Sequence, residues 1–110
     1  MDKILSDPVF LLMQSIQSKP ILYLGKKSLR LLHAFISGFL AGKGDWENNW
    51  YIPEWLASFN KYVIAACRME GTDFGIVESI LKNGYSESDG FDYYFYLLDC
   101  FFKEKLYLKI

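Results

Sequence analysis

The stretch Phe91-Asp92-Tyr93-Tyr94-Phe95-Tyr96-Leu97-Leu98-Asp99-Cys100-Phe101-Phe102-Lys103-Glu104-Lys105 decides the fold. Its polar edge is Asp92, Tyr96, Asp99 and Lys103, spaced four, three and four residues apart. That spacing lines them up along one side of a helix with a 3.6-residue period and leaves almost everything else apolar. Tyr93 to Tyr96 is rich in strand-forming residues, but Asp92 and Asp99, two turns apart, share a helical face. A helix so apolar around most of its circumference belongs at the centre of a bundle. Leu106 to Ile110 comes after it and is the one candidate for a short strand.

Working back from this helix, Ser86 to Gly90 is polar and turn-like. Asn83-Gly84 ends a preceding helix, because glycine accepts the left-handed conformation. Thr72 is the expected cap of that helix, with Asp73 at its positive end and Phe74, Val77, Ile80 and Leu81 as its stripe. Pro53 opens a helix to about Met69, with Trp55, Leu56, Phe59, Val63, Ala66 and Cys67 inward. Asp45 to Tyr51 is a loop holding Trp46 and Trp50. Ser28 caps a helix to about Ala41 that turns Leu29, Leu32, Ile36, Phe39 and Leu40 inward, and Gly42-Lys43-Gly44 stops it. Asp7-Pro8 starts a helix to Ser18 with Val9, Leu12, Met13 and Ile16 on one face. Lys19-Pro20 ends it, and Ile21 to Gly25 is expected as a short extended connector. The reading is all-α: one domain, residues 1–110, built as a compact bundle of about five helices.

Composition agrees. At 52% hydrophobic and 18% aromatic the 110-residue chain is long and apolar enough to bury a core, and disorder is excluded. A small domain cannot hide every ring, and exposed aromatics are the material of binding surfaces. A net charge of −1 argues against nucleic acid as partner. The most apolar stretch, Leu29 to Leu40, is interrupted by Arg30, His33 and Ser37 and is too short to span a bilayer, so no membrane is expected. Cys67 and Cys100 read as packing thiols. With Asp2 and Asp7 near a start that lacks a long apolar run, they point to a cytoplasmic protein.

Catalytic chemistry is scarce. His33 shares a helix edge with Arg30 and Ser37 and has no acid–base or nucleophile partner nearby. One histidine and two distant cysteines cannot make a zinc site. Gly38 to Lys43 lacks the spacing and the closing Ser/Thr of a phosphate loop. No enzyme activity, cofactor or metal is expected.

Charge is the informative feature. From Glu70 to Phe102 there are seven acids and one base, Lys82, whereas Met1 to Lys43 carries six bases and two acids. One reading is an ordinary solvated surface with pairing inside the molecule. The other is an acidic docking surface for a basic partner protein. On the second reading the partner-binding residues are Glu87, Asp89, Asp92, Tyr96 and Asp99. The carboxylates supply charge, Tyr96 supplies contact area, and Tyr94 turns into the core.

The segments Lys19-Pro20-Ile21-Leu22-Tyr23-Leu24-Gly25, Ser28-Leu29 and Leu32-x-x-Phe35-x-x-Gly38-Phe39 resemble an element of small bacterial proteins in which Pro-x-x-Tyr-Leu-Gly precedes a helix. Trp55 to Phe59 and the ending Phe91 to Glu104 are similar too, so the resemblance spans most of the chain. Lys19 stands where the pattern usually has Arg, and Ile21 replaces a Gly. Many such proteins resemble immunity proteins of contact-dependent inhibition and other polymorphic toxin systems. The matching positions are of core and turn type, so the resemblance implies fold first. By extension it implies a protein that binds and neutralises a cognate toxin, such as a nuclease. The competing expectation is a helical adaptor or regulatory subunit that binds another protein, unrelated to toxins.

Overall fold

A computed structural model describes residues 2–44 and 52–105 of the chain. The fold is all-α, with seven helical segments among the described residues: α1 (Asp2–Leu5), α2 (Pro8–Ser18), α3 (Pro20–Leu24), α4 (Leu29–Lys43), α5 (Glu54–Ala66), α6 (Ile76–Lys82) and α7 (Glu87–Lys105). The candidate strand at 106–110 and the Trp46–Trp50 loop lie outside the described residues.

Local chemistry sets most boundaries as expected. The Asp7 carboxylate accepts from the backbone N–H of Val9 at 2.8 Å and Phe10 at 3.3 Å, and Pro8 takes the first helical position of α2. Ser28 Oγ accepts from Leu31 N–H at 3.3 Å at the start of α4. Gly84, at φ +93°, sits just past the end of α6 in the left-handed region.

Four expectations need correction. Ile21 to Gly25 is not extended. Only Lys19 leaves the helical region (φ −138°), and Pro20 then opens a new helix, which Gly25 ends at φ +81° by donating its N–H to Ile21 O at 2.9 Å. Thr72 caps no helix. Its hydroxyl donates to Met69 O at 2.7 Å and accepts Phe74 N–H at 3.3 Å, closing the turn after α5. α6 begins later, at Ile76 behind Gly75, and Phe74 is exposed. α5 stops at Ala66, which is exposed, because Arg68 adopts φ +58°. Finally, α7 begins at Glu87 rather than Phe91: Ser86 Oγ accepts Asp89 N–H at 3.1 Å, an N-cap arrangement.

α7 is central, as its sequence implies. It supplies seven buried hydrophobics, where α2, α4 and α5 supply four each within their bounds. A run of rings crosses the core from α2 to α7 and α5. Phe10 meets Phe102 at 5.3 Å between centroids, Phe102 meets Phe101 at 5.6 Å, and Phe101 meets Phe59 at 5.5 Å. Tyr94 then closes edge-on against Phe59 at 5.2 Å. These spacings suit edge-to-face and tilted aromatic contact. Phe39, expected inward, is only half-buried at the margin of this core.

Candidate functional site

The five residues singled out from the sequence all sit on α7. Glu87 and Asp89 occupy its first turn, and Asp92, Tyr96 and Asp99 run along its outer edge. One rigid element therefore presents the whole set.

The carboxylates are not equivalent. Glu87 accepts hydrogen bonds from Ser28 Oγ at 3.1 Å and from Arg30 N–H at 2.9 Å, and it pairs with Arg30 Nε at 2.8 Å. Arg30 also reaches Glu78 at 3.3 Å. Asp92 pairs with Lys27 at 2.6 Å, and Asp99 with Lys103 one turn on at 2.9 Å. The basic N-terminal half thus binds part of the acidic C-terminal half within the molecule. Glu87 serves mainly as a clamp between the start of α4 and the start of α7. Among the described residues Asp89 has no ion pair, and it is exposed.

Partial burial alone would raise the Glu87 pKa, but the Arg30 N–H, the Ser28 hydroxyl and the Arg30 guanidinium outweigh it and hold the carboxyl below its ordinary value. A depressed folded pKa stabilises the fold above the unfolded value, about 4.3, and that contribution is lost as pH falls through the folded value. Urea unfolding measured from pH 6 to pH 2.5 should therefore show a loss of stability setting in below about pH 4.3. Glu87→Gln should remove part of that loss while costing about 1 kcal/mol or less at neutral pH, since the pair is partly solvated. An identical acid profile for the variant would mean that other carboxylates carry it.

The sequence puts Tyr85 and Tyr93 beside Tyr96 among the acids of this segment, but not the way their rings stack. Tyr85, beyond the Gly84 turn, stacks on Tyr93 with centroids 4.3 Å apart and planes 13° apart. Tyr93 in turn lies against Tyr96 at 6.1 Å and 21°. The outermost ring, Tyr96, is 61% exposed. Its hydroxyl, hydrogen-bonded to Cys100, is held above the ordinary phenol value. Burial, then Tyr85, does the same for Tyr93. Further along, Tyr62 on α5 donates to Glu104 at 2.6 Å. The 93/96 pair was readable from its i, i+3 spacing. The Tyr85 contact depends on how α6 turns into α7 and had no local signal.

The concave features lie elsewhere. A cavity of about 230 Å³ between α4, α5, α6 and α7 is walled by Ile36, Leu40, Leu56, Ile76 and Tyr94, with His33 and Asn60 at its side. His33 is exposed at this edge, and the desolvation it meets there lowers its pKa. An adjoining recess brings His33 and Asn60 together with Lys61 and Glu70. Among the described residues no three of His, Cys, Asp and Glu gather as a metal site would require, and no helix is long and apolar enough to cross a membrane. Cys67 and Cys100 are free, the first buried and the second half-buried, and burial pushes the Cys67 thiol up.

No family model, curated protein or solved structure matches the chain. The functional reading therefore rests on the surface chemistry of this molecule.

Proposed function

We propose that the chain works by binding another protein, as an immunity protein that masks a cognate toxin, and that the tyrosine stack on α7 is its contact surface. The observation that carries this reading is the stacked array Tyr85–Tyr93–Tyr96, half-buried at its two inner rings and open to solvent at Tyr96, which shares α7 with the exposed Asp89. Stacking already restricts these side chains, so little rotamer freedom remains to be lost on docking. The outer face of Tyr96 offers apolar area and cation–π acceptance, and the tyrosine hydroxyls offer hydrogen bonds. A basic partner suits Asp89 at one end of the array. Asp92 and Asp99 are held by Lys27 and Lys103, so they contribute by exchanging partners at the rim, a modest and salt-dependent effect.

The test uses the protein encoded immediately upstream of this chain's gene, which on this reading is the toxin. The two should co-purify as a stoichiometric complex. Tyr96→Ala should weaken it by about tenfold, the equivalent of about 1.4 kcal/mol. Replacing Asp92 and Asp99 together with Asn should leave a folded protein whose binding is weaker and less sensitive to salt. Unchanged affinity in both variants would remove α7 as the contact surface. A neighbouring gene product that neither poisons cells nor binds would remove the toxin.

A further inference from the structure

The Ile21–Gly25 segment, expected as an extended connector, instead forms α3, which contains no buried residue: Ile21 is 64% exposed and Leu22 71%. Other apolar side chains continue this surface. Leu11 of α2 lines one recess with Leu22 and Tyr23, and Tyr23 meets Phe35 of α4 edge-on at 6.2 Å. Leu31, one turn before Phe35, is exposed as well. Exposed apolar side chains thus adjoin one another on three helices, around a recess whose wall is largely polar, and such a cluster marks an interaction face rather than singly scattered surface hydrophobics.

Charge defines what fits it. Residues 8–44, which form α2, α3 and α4, contain no Asp or Glu and five bases. Lys27 and Arg30 are engaged by α6 and α7. Lys19, Lys26 and Lys43 have no carboxylate at ion-pair distance among the described residues. Lys19 stands in the wall of the Leu11–Leu22–Tyr23 recess, and Lys43 lies 5.7 Å from the Phe39 ring centroid at the far end of α4.

We propose that the α2–α3–α4 face docks a protein surface with an apolar centre and a rim of carboxylates. Pairing this face with its copy in a second chain would set lysine against lysine, which disfavours self-association through it. The recess also carries Gln14, Ser15 and Ser18, whose amide and hydroxyl groups can bond a polypeptide but would be stranded in lipid hydrocarbon. The proposal is independent of the α7 reading, whose partner is basic.

The probes are two synthetic amphipathic helical peptides with the same Leu/Phe face, one rimmed with Glu and one with Lys, and vesicles containing an anionic phospholipid. Each is titrated into the full-length ¹⁵N-labelled protein. The Glu-rimmed peptide should shift resonances of α2, α3 and α4 but not of the Tyr85–Tyr93–Tyr96 stack. It should bind about tenfold more tightly than the Lys-rimmed one, as a few rim pairs would give. Leu22→Ser should abolish that binding without loss of fold, because the side chain is already in water. Lys19→Glu should narrow the preference, and Tyr96→Ala should leave it untouched, which separates this proposal from the preceding one. No binding of the Glu-rimmed peptide at millimolar concentration, equal binding of both peptides, or shifts confined to α7 would each overturn the proposal. Binding to vesicles alone would replace it with a membrane surface. A dimer in light scattering that Leu22→Ser dissolves would replace it with a second copy.

Discussion

Phe102→Ala is expected to lower the free energy of unfolding by about 3–5 kcal/mol, at the upper end for a single core truncation. Phe102 is completely buried. Its ring meets Phe10 of α2 at 5.3 Å, Trp55 of α5 at 5.6 Å and Phe101 of its own helix at 5.6 Å. Three elements therefore face the space the ring would vacate. They cannot all collapse into it without pulling their other contacts apart, so a cavity term adds to the lost transfer energy. In urea, the unfolding midpoint should fall with little change in slope, since the surface exposed on unfolding is nearly the same. Phe39→Ala makes a fair control, because Phe39 is only half-buried and should cost clearly less. A Phe102→Ala loss below about 1 kcal/mol would mean that the core closes over the gap, and α7 would no longer qualify as the centre of the bundle.

The second large effect is expected at Gly90, where two tendencies oppose each other. Gly90 lies in the first turn of α7, and within a helix a glycine costs up to roughly 0.5–1 kcal/mol relative to alanine. Yet a Cβ at this position would lie 3.1 Å from Leu29 Cδ2 and 3.4 Å from Ile80 Cγ2. Leu29 and Ile80 are both fully buried, so neither end can swing into solvent. Gly90→Ala should be nearly neutral, the helix gain offset by a shift of a few tenths of an ångström in those side chains. Gly90→Leu has no such balance. It should cost about 1–3 kcal/mol or more by wedging α7 away from α4 and α6. Thermal unfolding of both variants checks the contrast. Equal melting points for alanine and leucine would show that the close approach of α4 and α7 is not needed.

The same glycine shows where sequence reading stops. Ser86 is a good helix cap, but a glycine four residues later argues locally for a turn, and the contact that makes glycine useful comes from Leu29, far away in sequence. α3 was missed for a different reason. Five residues are too few to show a helical period, and Lys19-Pro20 marks the end of one helix without marking the start of the next. By contrast the spacing of Asp92, Tyr96, Asp99 and Lys103 carried the long helix, and the caps at Asp7 and Ser28 needed only their neighbours. In the candidate site the charge asymmetry was legible and its partition was not. Lys27 and Asp92 stand 65 residues apart, and no local pattern says that they meet. The acids therefore looked freer than they are, while the Tyr85–Tyr93 stack, which needs the turn between two helices, went unseen.

The central position of α7 bears on how the protein is made. The helix that covers the apolar stripes of α4, α5 and α6 is also the last to leave the ribosome among the described elements. Until synthesis has passed Phe102, the emerging chain carries amphipathic helices with nothing to close them. It is then a substrate for chaperones and proteases rather than a partly finished domain. A message broken before the Phe91 codon would yield no smaller working version, so any task this protein performs in its cell would fall to chains that include α7.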